Sequence, residues 1–210
     1  AGSVPPGGYV IVAAKLAVLR EGVLVVRPVD GVIGRGLNNG GDAVVLIDPA
    51  GEVVDAISYG DNDDEFDPPA PLPAEGETLA VRDPRSEAGP ENWARALRAT
   101  PGEPNVFPVG AASTPRRAVT PGLQNIGELA DARAPLDVDG RIPAVATARG
   151  TSAATAVAAG PSTLRLSEIL PNPGGDGRDT DLEWVELVNI GSEAVSLAGW
   201  KLGDAAQLDV

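Results

Sequence analysis

Short apolar runs, separated by glycine, proline and aspartate, recur through the first hundred residues of the chain. Four runs rich in Val and Ile occupy residues 9–14, 23–26, 42–47 and 52–58. Runs of this length with many β-branched side chains are typical of strands. Within residues 44–54 two runs are joined by DPAG, in which Pro49 presets φ and Gly51 tolerates positive φ. This pattern predicts a β-hairpin.

The same pattern returns near the end of the chain. Residues 164–170 and 183–189 are predicted strands, and residues 195–202 are predicted to form a third strand. A strand without a neighbour exposes a row of unpaired backbone groups and does not persist in water. Residues 195–202 therefore need a partner from elsewhere. We expect the segment around Trp200 to lie beside the segment around Tyr9 in one closed double layer.

The middle of the chain has a different composition. Residues 108–162 are rich in Ala, Thr, Pro and Arg, and repeated prolines interrupt any helix of useful length. The segment is predicted to be an extended linker. The alternatives are one short helix over residues 123–134 and an added strand within residues 136–147. The expected division of the chain is thus 1–107, 108–162 and 163–210.

Composition supports an all-β class and narrows the chemistry. The 210 residues include 26 Gly and 20 Pro, which suits many short strands joined by tight turns. The absence of Cys and His excludes disulfides, thiol nucleophiles, imidazole proton transfer and the usual zinc sites. A net charge of −14 makes nucleic acid an unlikely partner. No apolar stretch is long enough for a membrane-spanning segment.

Two acidic loops contain the candidates for a metal site. Their carboxylates, which suit Ca²⁺ as hard oxygen ligands, are Asp61, Asp63, Asp64, Asp176, Asp179 and Asp181. Neither loop fits the helix-flanked calcium loop, because Phe66 stands where the first needs a glycine and the second is too short. Solvated loops are the favoured interpretation, and no cofactor is expected.

Glu183 and Glu186 flank Trp184, and a pair of carboxylates can perform acid/base chemistry on a sugar. Residues three apart on a strand face opposite sides of the sheet, which argues against a shared site. The favoured interpretation is that one of them caps a turn or pairs with an arginine. We therefore expect no catalytic residues and no enzymatic activity. The residues expected in the core or assembly contacts are Tyr9, Trp93, Trp184, Leu187, Leu197, Trp200 and Leu202.

Three motifs near the end of the chain resemble the opening half of a lamin-tail domain, the immunoglobulin-like β-sandwich of nuclear lamins and many bacterial surface proteins. They are SEILPNP (167–173), EWVELVN (183–189) and LAGWKL (197–202). The remainder of the family pattern resembles residues 6–11, 37–55 and 92–105, at the other end of the chain. The two halves therefore stand in inverted order.

The resemblance implies an immunoglobulin-like sandwich in which residues 163–210 are the N-terminal portion and residues 1–107 the C-terminal portion. The halves can join within one chain as a circular permutant, between neighbouring copies, or as one period of a tandem array. Joining between copies builds head-to-tail polymers. We expect the chain to be an excerpt or a processed form, because it lacks Met and begins at Ala1 in mid-pattern.

The implied function is a non-catalytic structural module of a bacterial extracellular or cell-surface protein, with other copies of itself as partners. The alternative is a module that tethers a secreted enzyme by binding protein or carbohydrate.

Overall fold

The described part of the chain is almost entirely β-structure. A computed structural model describes residues 2–86, 88–107 and 162–204, together with the backbone of residues 207–209. The predicted linker, with its alternative helix at 123–134 and strand at 136–147, lies outside these residues apart from Ser162. The described residues belong to one compact unit made from Ala1–Phe107 and Gly160–Val210.

Twelve strands and two short 3-10 helices make up the described elements. The strands are β1 (Ser3–Val4), β2 (Tyr9–Ala13), β3 (Val25–Val26), β4 (Gly41–Ile47), β5 (Val53–Gly60), β6 (Thr78–Val81), β7 (Trp93–Ala96), β8 (Leu164–Leu170), β9 (Trp184–Asn189), β10 (Val195–Ser196), β11 (Lys201–Asp204) and β12 (Gln207–Asp209). The 3-10 helices are Pro90–Asn92 and Asp179–Asp181. None of the described elements is a helix with the length and apolarity needed to span a membrane.

The strands form a six-stranded sheet, a four-stranded sheet and a small two-stranded ladder. The six-stranded sheet has the order β3-β2-β9-β8-β6-β7, and the four-stranded sheet has the order β12-β11-β4-β5. All pairings are antiparallel except that of β2 with β3. Strands β1 and β10 form the ladder. The expected all-β sandwich class is confirmed.

The main core fills the space between the two large sheets. Alternate residues of β2 and β9, such as Val10, Val185 and Leu187, pack with Leu46 of β4 and Leu202 of β11. A smaller cluster covers the opposite face of the six-stranded sheet and contains Ile11, Ala13, Ala17 and Trp184. The period-two alternation of side chains along a strand explains why neighbours such as Val10 and Ile11 enter different clusters.

The predicted hairpin is confirmed. Strands β4 and β5 pair in register from Gly41 with Gly60 to Ile47 with Val53. The turn is closed by the Gly51 N–H, which donates to the Asp48 carbonyl at 2.9 Å, and Gly51 has φ +90°. The predicted strands before residue 190 end within one or two residues of the observed ones. Of residues 23–26, predicted as one strand, only Val25–Val26 form it.

The prediction of a single strand over residues 195–202 is wrong. Gly199 has φ +81°, and the turn around it separates β10 from β11, which join different sheets. The expected neighbour is also wrong. Lys201 and Leu202 pair with Ile47 and Leu46 of β4, whereas Tyr9 pairs with Val188 of β9. A glycine in the left-handed region redirects the chain at this point, so the residues after it pair in the four-stranded sheet. The Trp200 side chain still lines a cavity with Val10 and Val12 of β2, so the two segments share the main core without pairing as strands.

Candidate functional site: a buried carboxylate seam

The two described ends of the chain build the sandwich together. We call residues 2–107 the N-terminal segment, residues 162–204 the C-terminal segment, and the contact between them the seam. Strands β8 and β9 of the C-terminal segment lie between β2 and β6 of the N-terminal segment. Strand β11 pairs with β4 in the other sheet. Each segment therefore contributes strands to both large sheets.

Carboxyl groups lie along the seam where an apolar interface would be expected. Glu168, Glu183 and Glu186 are all fully buried, with 0% of each residue exposed. All three belong to the C-terminal segment and accept hydrogen bonds from the N-terminal segment. Burying a carboxylate is costly unless donors replace its hydration, so these bonds specify how the segments join.

Glu168 and Glu186 fix the loop that follows β7. Glu168 Oε2 accepts from the backbone N–H and the hydroxyl of Thr100, both at 3.0 Å, and its Oε1 accepts from the Thr78 hydroxyl at 2.5 Å. Glu186 Oε2 accepts from the Gly102 N–H at 2.6 Å. The two glutamates stand opposite each other in the β8–β9 register. Both carboxyls therefore hold one loop from the same face of the sheet.

Glu183 holds a different loop. Its Oε2 accepts from the Leu37 N–H at 3.0 Å, and its Oε1 has no hydrogen-bond partner among the described residues. Leu37 is in the main core, whereas Gly102 lies over the other face of the sheet with Glu186. The expectation that Glu183 and Glu186 do not share a site agrees with these separate partners. The expected turn-capping role is confirmed for Glu186, since Gly102 is part of a turn.

Burial raises the pKa of the seam carboxyls. The pKa of Glu186 rises to about 8 and that of Glu183 to about 7, mainly because burial removes the water that stabilises the charged form. The pKa of Glu168 is raised for the same reason, against the effect of its Thr78 and Thr100 donors. The Ser167 hydroxyl lies near Glu186 without the geometry of a hydrogen bond to Oε1.

Two side chains of the N-terminal segment also form hydrogen bonds with the backbone of the C-terminal segment. Asp55 of β5 accepts from the Leu166 N–H at 2.9 Å, beside the irregularity in the β8–β9 register. The Asn105 amide donates to the carbonyls of Val81 and Ser167, both at 2.9 Å. The seam thus joins the two segments by side-chain bonds as well as by the strand ladders.

The expected core residues lie in several environments. Trp93, Trp184, Leu187 and Leu202 are buried, and Leu197 and Trp200 are half-buried against the main core. Tyr9 is half-buried on β2, where it pairs with Val188.

The six calcium candidates do not converge. Asp179 accepts from the Asn39 amide at 2.7 Å, and Asp181 pairs with Lys15 at 3.0 Å. Asp61 lies beside Gly40 and Gly41 on the β4–β5 pair. Across the described ranges, no three carboxylates are gathered in a way that could hold a metal ion.

Glu183 and Glu186 were site candidates from the sequence, whereas Glu168, Asp55 and the donors of all four carboxyls were not. The sequence does contain a signal, because LRLSEIL and EWVELVN place glutamates among the apolar residues of predicted strands. Such carboxylates must find donors elsewhere in the fold. Comparison of the chain with family models, with curated proteins and with solved structures found no significant match.

Proposed function

We propose that the chain is a non-catalytic structural module of the lamin-tail type, from a bacterial extracellular or cell-surface protein. In this proposal its sandwich closes within one chain when the chain is dilute. Copies assemble head-to-tail when the C-terminal segment of one closes the sandwich of the next. The sequence motifs support the family, and the two-segment sandwich supports the assembly.

The observation that carries the proposal is that neither segment contains a complete sandwich. Without β8 and β9, strand β2 loses β9 and strand β6 loses β8, and without β4, strand β11 keeps only its pairing with β12. The same ladders and carboxyl contacts are satisfied whether the C-terminal segment comes from the same chain or from another copy. Exchange of identical elements between copies is a low-cost route to assembly.

The linker permits both arrangements. Residues 108–161 can span roughly 3 Å per residue when extended, so their length is sufficient for closure in one chain or for reaching a neighbour. A tethered segment presents itself at about millimolar concentration. Closure within one chain therefore dominates at low protein concentration, and exchange requires unfolding or high concentration.

The non-catalytic part of the proposal rests on how the buried carboxyls are used. Each of the three glutamates is engaged by backbone or hydroxyl donors of the adjoining segment. Glu183 and Glu186, the pair with potential acid/base chemistry, are directed to different loops. These contacts favour a structural use of the carboxyls.

The test is to unfold the full chain in urea and refold it at low and at high concentration. Light scattering after gel filtration measures the mass, and electron microscopy shows the form. We expect monomers at low concentration and head-to-tail oligomers or filaments at high concentration.

The matched control is a variant with Ser3→Cys and Ser196→Cys, since these exposed residues pair in the β1–β10 ladder. Once oxidised within one chain, it should stay monomeric. Wild-type chain that remains monomeric at every concentration would overturn the assembly proposal.

Closure within one chain also supports a second candidate, a recognition or tethering module that works as a closed monomer beside a secreted enzyme. The observation in its favour is that the segments pair within one chain, β2 with β9 and β6 with β8. Carbohydrate binding through Trp93 or Trp184 is disfavoured, because both rings are buried and offer no stacking face.

A further inference from the structure

We propose that closing the seam takes up protons, so that the attachment of the C-terminal segment is strongest in acid and weaker under mildly alkaline conditions. This goes beyond the proposed function, because it makes the stability of the seam depend on pH. The proton-linked closure stands on the seam geometry alone. Its consequence for exchange between copies rests on the proposed function.

The geometric basis is the contrast between the two states of the chain. In the open chain, Glu168, Glu183 and Glu186 are in water, where a negative charge is well solvated. In the closed chain all three are fully buried, and the groups that contact them are neutral N–H and hydroxyl donors. No described cation forms an ion pair with any of them. A buried carboxylate without a cation tends to be neutralised by a proton.

The charged groups near Glu186 strengthen this tendency. Glu168 on β8 stands opposite Glu186, and its charge raises the pKa of Glu186 further. Tyr9 on β2 is near enough that the charge of Glu186 raises its own pKa. Three cations lie in this region. Arg98 is on the loop that follows β7, Arg20 has its Nη2 3.8 Å from the Cβ position of Gly102 and is paired with Glu103, and the charge of Arg85 lowers the pKa of Tyr9. Burial and the charge of Glu168 therefore disfavour the charged form of Glu186, against the opposing effect of the Gly102 N–H and the Ser167 hydroxyl.

Glu183 is also surrounded by negative groups. The charges of Asp42, Asp179 and Asp181 all raise its pKa, and the charge of Glu183 in turn raises that of Tyr59. Lys15, a cation in this region, pairs with Asp181. A second carboxyl of the seam therefore also favours its protonated form.

The direction of the pH effect follows from linkage. A glutamate in the unfolded chain titrates near 4.5, whereas Glu186 in the closed sandwich titrates at about 8. Between these values the closed state holds a proton that the unfolded chain does not, so stability decreases as pH rises. The contribution is complete below pH 4.5 and is lost as pH passes about 8. Each such carboxyl changes the unfolding equilibrium constant by about tenfold per pH unit inside its window.

The test is urea unfolding of the full chain between pH 6 and pH 8, comparing wild type with Glu186→Gln and with Glu21→Gln. Glu21 is exposed, so the control makes the same change of charge away from the seam. For wild type and Glu21→Gln we expect the unfolding constant to rise more than about fiftyfold from pH 6 to pH 8, because Glu183 adds to the effect of Glu186. In Glu186→Gln this rise should be about fiftyfold smaller. Equal rises in all three proteins would overturn the proposal.

A measurement on wild type alone covers the case in which Glu186→Gln does not fold. Unfolding at pH 7 in weakly buffered solution should release about one proton or more per chain, detected with an indicator dye. No release, or net uptake, would overturn the proposal. If protons are released but the chain stays monomeric after concentrated refolding at pH 8.5, the exchange between copies is wrong and the proton-linked seam stands.

Discussion

Asn189 and Glu186 show how differently two buried polar side chains on one strand are accommodated. The Asn189 amide donates to the carbonyls of Val4 and Glu193, and its oxygen accepts from the Gly191 N–H and the Thr163 hydroxyl. An amide can both donate and accept, so its bonds are complete without a charge. Glu186 accepts a hydrogen bond from the Gly102 N–H, and its carboxyl can donate one only when it is protonated. A change of pH therefore alters the charge of the seam glutamates and leaves the contacts of Asn189 unchanged.

Leu187 tests the apolar part of the seam. It is 3% exposed and lies in the main core between the sheets. Leu187→Ala removes packed methyl groups and leaves a cavity, so we expect the free energy of unfolding to decrease by about 2–5 kcal/mol. Urea denaturation monitored by tryptophan fluorescence measures the loss.

Leu97→Ala is the matched control, because the same atoms are removed from a side chain that is 72% exposed. Its effect should be within about 0.5 kcal/mol. Similar losses for the two variants would mean that Leu187 is not in the packed interior.

At the scale of elements, the β4–β5 hairpin depends on two glycines with different requirements. Gly51 has φ +90° and open space where a Cβ would be, whereas Gly60 has φ +70° and its Cβ would lie 2.2 Å from the Gly40 carbonyl oxygen. Gly51 is therefore required only for its backbone conformation. Gly60 is required both for its conformation and for the close approach of two strands.

Alanine substitution should separate these two requirements. Gly51→Ala should cost about 1–2 kcal/mol, the strain of a side chain in the left-handed region. Gly60→Ala should cost clearly more, because the strands must also move apart. Thermal unfolding of both variants, followed by circular dichroism, gives the comparison. A larger loss for Gly51→Ala would contradict the described turn.

The elements that could be predicted from sequence are those with local signals. DPAG between two Val-rich runs predicts its hairpin, and Pro171, Pro173 and the glycine-rich loop after them separate LRLSEIL from EWVELVN as two strands, β8 and β9. Strand β7 reads WARA, in which only Trp93 favours a strand, and it becomes a strand because it pairs with β6. Strand propensity depends strongly on such tertiary context.

The candidate site was less accessible from sequence for the same reason. Glu186 and Gly102 are 84 positions apart, so their contact has no local pattern. Gly199 could be recognised as a turn residue, but not as the point where the chain leaves β10 for a different sheet. The sequence shows that carboxylates are embedded in strands, and only the fold shows which loops they hold.

At the scale of the whole molecule, the order β2-β9-β8-β6 places both long strands of the C-terminal segment inside the six-stranded sheet. An inserted pair cannot leave without breaking ladders on both sides. Segments joined in this way separate only when much of the sandwich unfolds. The account therefore predicts slow separation of the segments, whether they belong to one chain or to two. The central claim is therefore that the same insertion closes the sandwich within a chain and between copies.

The most direct test uses two single-cysteine variants of this cysteine-free chain, Ser3→Cys and Ser196→Cys, unfolded together, refolded at high concentration and oxidised. If the C-terminal segment of one copy closes the sandwich of another, residues 3 and 196 of different chains become neighbours. We predict a disulfide between them, identified by peptide mass spectrometry. Its yield should far exceed that from Ser3→Cys mixed with Ser86→Cys, an exposed position with no register partner in the ladder. A yield no higher than this control would contradict the account.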